Sequence, residues 1–232
     1  MISLSLDTST ARGEVAVLNG GRVLSCRSWE RDRSHSESVT GQIEAALSEA
    51  GIEAKQLQAI GVGRGPGSFT GIRVAINAAK SFSFALGIPI YAFDTCEIVA
   101  SGARRTDLPI LTMFNAQKNQ VFVSVFSAPN GASPQRLIPV QAWSLDRLSA
   151  EITTPHLCLG DAYHDYESLL EPSILPLLVR DQTENDYPSA VVIGRMASRE
   201  FVNATSLGWK ELQALYIRAS GAEEKIREDR GS

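Results

Sequence analysis

Hydrophobic positions along the chain repeat with two periods, and the switches between them mark its elements. Ile2, Leu4 and Leu6 alternate with polar neighbours, the period of a half-buried strand. Glu14–Leu18 and Arg22–Trp29 read as second and third strands around an Asn19-Gly20-Gly21 hairpin turn. The period then lengthens. Ser34-His35-Ser36-Glu37 has the spacing of a capping box, Val39, Ile43, Leu47 and Ala50 follow at helical spacing, and Gly51 is the stop. Leu57–Val62 is apolar enough for the end of a buried strand. A helix is predicted over Phe69–Leu86, closed by Gly87 and Pro89. Ile88–Phe93 reads as a strand and Asp94–Ala103 as a short helix.

The polar stretch Ala103–Asp107 before Leu108-Pro109 is the best boundary, dividing the chain into 1–104 and 105–232. A second cycle begins there. Ile110–Phe114 and Gln120–Phe126 read as strands around Gln117-Lys118-Asn119, and Pro129-Asn130-Gly131 turns again. Helices are predicted over Trp143–Glu151 and Tyr163–Leu170, around a strand at His156–Leu159. Val192, Met196, Ala197 and Phe201 space a helix over Ser189–Phe201, and Ala219–Ser232 is a charged tail. The strand–turn–strand opening of both cycles suggests a pseudo-repeat of two related halves.

Between the fourth strand and the long helix lies the densest local feature. Gly63, Gly65, Gly67 and Gly71, with Pro66, Ser68, Phe69 and Thr70, force a tight turn from strand into helix. It fits none of three known phosphate or nucleophile motifs. Gly71-Ile72-Arg73 lacks the lysine of a Walker loop, and Ser68 and Thr70 stand where a dinucleotide fingerprint needs its third glycine. Pro66 and Thr70 flank Ser68 where a hydrolase elbow needs glycines. An anion on the helix amides stays possible. Spacing favours a geometric role, in which the glycines admit a sharp turn and close packing, with φ > 0 at Gly65 or Gly67.

The long helix carries more apolar surface than a sheet needs. Ile72, Ala75, Ile76, Ala79, Phe82 and Leu86 form one large arc. Val74, Ala78, Ser81 and Ala85 form a second arc of small residues, and Arg73, Asn77, Lys80 and Phe84 fill the remainder. The uncharged surface spans roughly 220°, against the ~100° that covering a sheet requires. The small arc therefore meets another helix, in this chain or in a partner, and spacing alone leaves both open.

Composition narrows the chemistry. With 232 residues, 44% of them hydrophobic, the chain can bury a sizeable core. A net charge of −4 supplies no basic field for autonomous binding of nucleic acid. Cys26, Cys96 and Cys158 are odd in number and widely spaced, as reduced thiols are and disulfide frameworks or zinc sites are not. The first residues lack the basic and apolar regions of a signal peptide, and no run reaches membrane-spanning length. These features predict a soluble cytoplasmic protein with no membrane association. His35 has no companion at His-x-x-x-His spacing, which predicts no metal site. Asp7-Thr8-Ser9, at the end of the first strand, suits a turn or a ligand equally well.

Three stretches, Leu6-Asp7-Thr8-Ser9-Thr10, Gly63 to Arg73, and Leu215-Tyr216-Ile217-Arg218, resemble the TsaB family, formerly called YeaZ. The glycine stretch is the specific match, and the resemblance covers essentially the whole chain. The family is the non-catalytic partner of the transferase that makes N6-threonylcarbamoyladenosine, at adenosine 37 of tRNAs reading ANN codons. The resemblance implies an α/β, actin-like (ASKHA, ribonuclease H-like) fold of two subdomains, each a mixed sheet with flanking helices. It implies pairing through Ser34–Ala50 and Thr70–Leu86, and hence a partner interface at His35, Val39, Arg73, Val74, Asn77, Ala78, Ser81, Phe84 and Ala85. The partners implied are the catalytic subunit TsaD and the ATPase TsaE, with a homodimer when the chain is alone and tRNA held only indirectly. ATP and metal then belong to the partners, and this chain has no cofactor and no catalytic residue of its own. Asp7, Thr8 and Ser9 mark where a vestigial nucleotide contact would lie.

The sequence departs from the family pattern at Asn115-Ala116-Gln117, where Asp-Ala-Arg is usual, and at Ala214, where proline is usual. Two readings from other classes stand beside this one. A metallopeptidase requires His-Glu-x-x-His or an equivalent, which is absent from the sequence. An ATP-dependent kinase of the same fold is favoured weakly by Asp7-Thr8, but Gly160 and Gly194 are isolated where a glycine-rich adenosine loop is needed.

Overall fold

The computed structural model describes residues 1–30, 39–104, 107–127, 133–180, 185–203 and 206–217. Strands β1 (Ile2–Asp7), β2 (Arg12–Asn19) and β3 (Arg22–Glu30) form an antiparallel meander. Its tight hairpin uses Gly20 and Gly21 at φ of 56° and 87°, a conformation L side chains resist. After helix α1 (Val39–Ala50), strand β4 (Ala59–Gly63) pairs parallel to β1. Helix α2 (Phe69–Leu86) then leads to β5 (Ile90–Phe93), parallel to β4. The sheet order is β3-β2-β1-β4-β5.

Helix α3 (Thr95–Gly102), capped by the Asp94 carboxylate on the Glu97 amide, leads into a second cycle. Strands β6 (Ile110–Asn115), β7 (Gln120–Phe126) and β8 (Arg136–Ser144) repeat the meander. Helix α4 (Leu145–Glu151), β9 (His156–Leu159), α5 (Ala162–Tyr166) and β10 (Leu178–Val179) complete the order β10-β9-β6-β7-β8. Replacing each strand by its counterpart five later converts one order into the other, so the pseudo-repeat read from the sequence is present. Two mixed five-stranded sheets with flanking helices are the α/β, actin-like architecture that the resemblance implies.

The helices cover the sheets crosswise. On one face of the first sheet, Leu4, Leu6, Val15, Val17, Ile60 and Val62 pack against Ile43 and Leu47 of α1 and Ile72, Ala75, Ile76 and Ala79 of α2. The other face is covered by α6 (Ala190–Asn203), which follows the second sheet in sequence. Its approach is close: a Cβ on Gly194 would lie 2.4 Å from Leu18, and one on Gly61 would lie 2.7 Å from Ile193. The start of α6 is fixed by the buried Glu14 carboxylate, which accepts from the Ser189 hydroxyl (2.8 Å) and the Ala190 amide (2.9 Å). In exchange, Cys96, Val99 and Ala100 of α3 pack with Ile110, Phe114, Phe122 and Phe126 on the second sheet. An ion pair between Asp94 and Arg136 ties the two halves directly.

Two elements differ from the sequence reading, and a third is not described. Trp143 lies within β8 rather than starting a helix, because the Ser144 hydroxyl caps α4 on the Arg147 amide. The helix expected over Tyr163–Leu170 stops at Tyr166 and tightens into a 3-10 turn over Glu167–Leu169. The capping box at Ser34–Glu37 lies outside the described residues.

Candidate docking site

Helix α2 begins at the glycine turn, and the turn is held by what the glycines lack. Gly65 and Gly67 have φ of 96° and 153°, so both positions favour glycine. A Cβ on Gly63 would fall 1.7 Å from the Asp7 carboxylate, and one on Gly67 would fall 2.3 Å from the Ser9 carbonyl. The turn therefore lies directly on the Asp7-Thr8-Ser9 loop. The Ser68 amide donates to the Ser9 carbonyl (2.7 Å), and the Thr8 hydroxyl donates to the Gly71 carbonyl (2.6 Å). Asp7 Oδ1 accepts from both the amide and the hydroxyl of Ser9 at 2.7 Å, and the Ser9 hydroxyl meets Thr95 at 3.1 Å. Asp7, Thr8 and Ser9 are all buried, so these three side chains hold the turn against the first sheet.

The turn aims α2, with the Ser68 hydroxyl accepting from the Gly71 amide and Gly87 closing the far end at φ 66°. Of the large arc, Ile72, Ala75, Ile76 and Ala79 are buried, and Phe82 and Leu86 pack half-buried against the same core. Of the small arc, Val74, Ser81 and Ala85 are exposed and Ala78 is half-buried. The Ser81 hydroxyl donates back to the Asn77 carbonyl at 2.8 Å, so this polar member of the arc is satisfied within its own helix. Arg73 and Asn77 are exposed, Phe84 is 68% exposed, and Val39 of α1 is half-buried against the first core. His35 lies outside the described residues.

Two rings that the sequence reading did not select stand beside this face. After α6, residues 206–217 run as a strap along α2. Trp209 meets Phe84 edge-on at 5.2 Å, and Tyr216 lies 5.2 Å from Phe69. The one available sequence sign was the family-like Leu215-Tyr216-Ile217 run. No helical or strand period links Trp209 to the helix it touches.

The counterpart of the Asp7 loop in the second half is held by hydrogen bonds within that half. Asn115 donates to Asp165 (2.6 Å) and accepts from the Tyr166 hydroxyl (3.0 Å) and the Gln117 amide (2.7 Å). Gln117, Lys118 and Asn119 all have positive φ, making a tight left-handed turn without glycine. Burial pushes the Asp161 carboxyl up to about 6, against a hydrogen bond from the Asn115 amide and with help from nearby Asp165 and Asp186. Among the described residues, no three His, Cys, Asp or Glu side chains are grouped as metal ligands.

The sequence model of TsaD, tRNA N6-adenosine threonylcarbamoyltransferase, matches residues 24–131, a range that contains α1, α2 and β1-like strand β6. The tRNA threonylcarbamoyladenosine biosynthesis protein TsaB of Escherichia coli K12 is 29% identical over 232 residues, covering 96% of this chain and 97% of that one. The chain is similar along nearly its whole length to the TsaB (YeaZ) proteins. The Bacillus subtilis TsaB is 30% identical over 141 residues, and that match spans 61% of each protein. YeaZ from Pseudomonas aeruginosa has the same fold, with a TM-score of 0.78 at 23% identity over 93% of this chain and 99% of that one. Within this fold, the glycine turn and α2 are continuous with the first sheet, while the strap closes over them from residues 206–217.

Proposed function

We propose that this chain is the non-catalytic subunit that binds and activates the transferase TsaD for N6-threonylcarbamoylation of adenosine 37 in tRNA. The observation that carries the reading is the end-to-end match to the Escherichia coli protein named for this biosynthesis. The geometry supports a helper role. Asp7, Thr8 and Ser9 are buried under the glycine turn and bond within it. Metal, threonylcarbamoyl-adenylate and the transfer step belong to TsaD, and TsaE with ATP completes the cycle. An acidic chain has little attraction for tRNA phosphates, so tRNA is gripped elsewhere in the assembly. Assembly of this kind places the protein in the cytoplasm.

Docking uses the exposed face of α2, with α1 beside it. Val74, Ala78, Ser81 and Ala85 let a partner helix approach to the low end of the usual ~8–10 Å separation. The match of residues 24–131 to the TsaD model supports an equivalent helix pair in the partner. Like elements then meet about a pseudo-two-fold axis, and the chain alone pairs with itself through the same strip. The test is reconstitution with TsaD, TsaE, ATP, threonylcarbamoyl-adenylate and unmodified tRNA, reading the modified nucleoside by mass spectrometry. Omitting the chain should abolish turnover, and Ala78→Arg should do the same while circular dichroism stays native. Full activity without the chain, or with the arginine variant, refutes the reading.

A further inference from the structure

The strap beside α2 has features that its role in the fold does not require. It is fixed at three points. Leu207 exchanges backbone hydrogen bonds with Ile90 on the open edge of the first sheet (2.8 and 3.0 Å). Leu212 is fully buried in the first core, and the Leu215 amide donates to the Arg64 carbonyl in the glycine turn at 2.8 Å. These anchors leave the rings of Trp209 and Tyr216 outside, and each pairs with a ring on α2. At one end the Arg73 guanidinium lies 3.8 Å from the Phe69 ring centre and donates to the Tyr216 hydroxyl at 3.1 Å. At the other end Trp209 abuts Phe84, with the Lys210 ammonium 5.3 Å from the indole.

Four of these rings stay substantially exposed. Of ten exposed large hydrophobic residues among the described ones, five are Phe69, Val74, Phe84, Trp209 and Tyr216, all on this face. That concentration marks a contact surface rather than scatter. Tryptophan, tyrosine and arginine are the residue types that dominate binding energy at protein interfaces. Here they are already held by ring and hydrogen-bond contacts, so little side-chain freedom is lost on docking. Phe69 and Phe84 are fifteen residues apart, about 22 Å along a helix at 1.5 Å per residue. Val74, Ala78 and Ser81 of the small-residue arc lie between them.

We infer that the strap is part of the docking surface, with Tyr216–Phe69–Arg73 and Trp209–Phe84 as two anchors that fix the register of the partner helix laid between them. The inference rests on the proposed pairing with the transferase and deepens it. The charge of the surface specifies the partner further. Helix α2 carries Arg73 and Lys80 and no carboxylate, whereas in the strap Lys210 is followed by Glu211, whose carboxylate accepts from the Gly208 amide, so the positive charge of the face comes from α2. Neither Arg73 nor Lys80 has a carboxylate partner among the described residues. The matching face of the transferase therefore presents a helix of about four turns with acidic side chains at its rim.

The experiment measures the affinity of the purified chain for the transferase by calorimetry. Trp209→Ala and Tyr216→Ala should each weaken binding at least about tenfold, while Leu169→Ala, an exposed apolar side chain on the second half, should leave it unchanged. Binding should weaken as salt is raised, and less steeply for Lys210→Glu. If Ala78→Arg abolishes binding but both strap variants bind within about twofold of wild type, the strap inference is wrong and the pairing stands. If Ala78→Arg binds normally, the pairing itself is wrong. Should Trp209→Ala unfold, Phe84→Ala tests the same anchor from an exposed helix position, and unchanged affinity there overturns the inference.

Discussion

Replacing Gly67 by alanine tests whether the turn at the head of α2 is fixed by sterics. The residue has φ 153°, where an L side chain costs on the order of 1–3 kcal/mol. The new Cβ would stand 2.3 Å from the Ser9 carbonyl oxygen and 3.0 Å from its carbon, so backbone has to move. Moving Ser9 breaks the 2.7 Å bond from the Ser68 amide, about 1 kcal/mol more. It also disturbs the Asp7–Ser9–Thr95 hydroxyl network. The expected loss is about 2–4 kcal/mol, from the sum of these effects. For a domain of this size that is a fall in Tm of roughly 10 °C. Gly87→Ala is the internal control. Its φ is also positive, at 66°, but a Cβ there meets nothing within 4 Å, so only the backbone preference is lost, about 1 kcal/mol. Urea unfolding followed by circular dichroism gives both values. Equal losses in the two variants would refute the close approach of the turn to Ser9.

Asp161 protonates more readily in the fold, near pH 6, than in the unfolded chain, near 3.8, so its contribution to stability falls as pH rises between those values. Asp161→Asn should therefore raise Tm at pH 8 and change it little at pH 4; an equal effect at both would count against burial as the cause. Burial pushes the Cys96 and Cys158 thiols up to about 12 and Cys26 up to about 11, the last with help from Glu14. A disulfide reagent at pH 8 should label only Cys26, and that slowly, whereas denatured protein should yield all three thiols. Leu212→Ala, which removes the strap's buried anchor, should cost about 2–5 kcal/mol in denaturant unfolding.

What was legible in the sequence was local. Helix α2 runs from Phe69 to Leu86 as read, because its cap at Ser68, its apolar period and its stop at Gly87 are all adjacent in the chain. The paired meanders were legible from turn residues and alternation. Strand β8 was not read at all, since Pro139 breaks its pattern. The proline is tolerated because β8 is the outer strand of its sheet, where a missing amide leaves no ladder bond unmade. The exposed arc of α2 was legible as an excess of apolar surface, but the rings that frame it were not. Trp209 and Tyr216 are brought there by Ile90 and Arg64, more than a hundred positions earlier, and no local period encodes such contacts.

The crosswise covering of the sheets has a consequence for synthesis. Strands β1 to β5 leave the ribosome about a hundred residues ahead of α6, an interval of about 5–20 s at ordinary elongation rates. Throughout that interval the face bearing Ala16, Leu18, Ala59 and Gly61 has no helix to meet it, because Ile193 and Gly194 do not yet exist. Helix α3 is made early and waits in the same way for β6 and β7. The buried core of the second half is complete by β10, but the first half cannot reach its native packing before α6 is made, so the nascent chain carries exposed apolar sheet until then. Premature termination anywhere before α6 leaves a product suited to chaperone capture or proteolysis, not a smaller working domain.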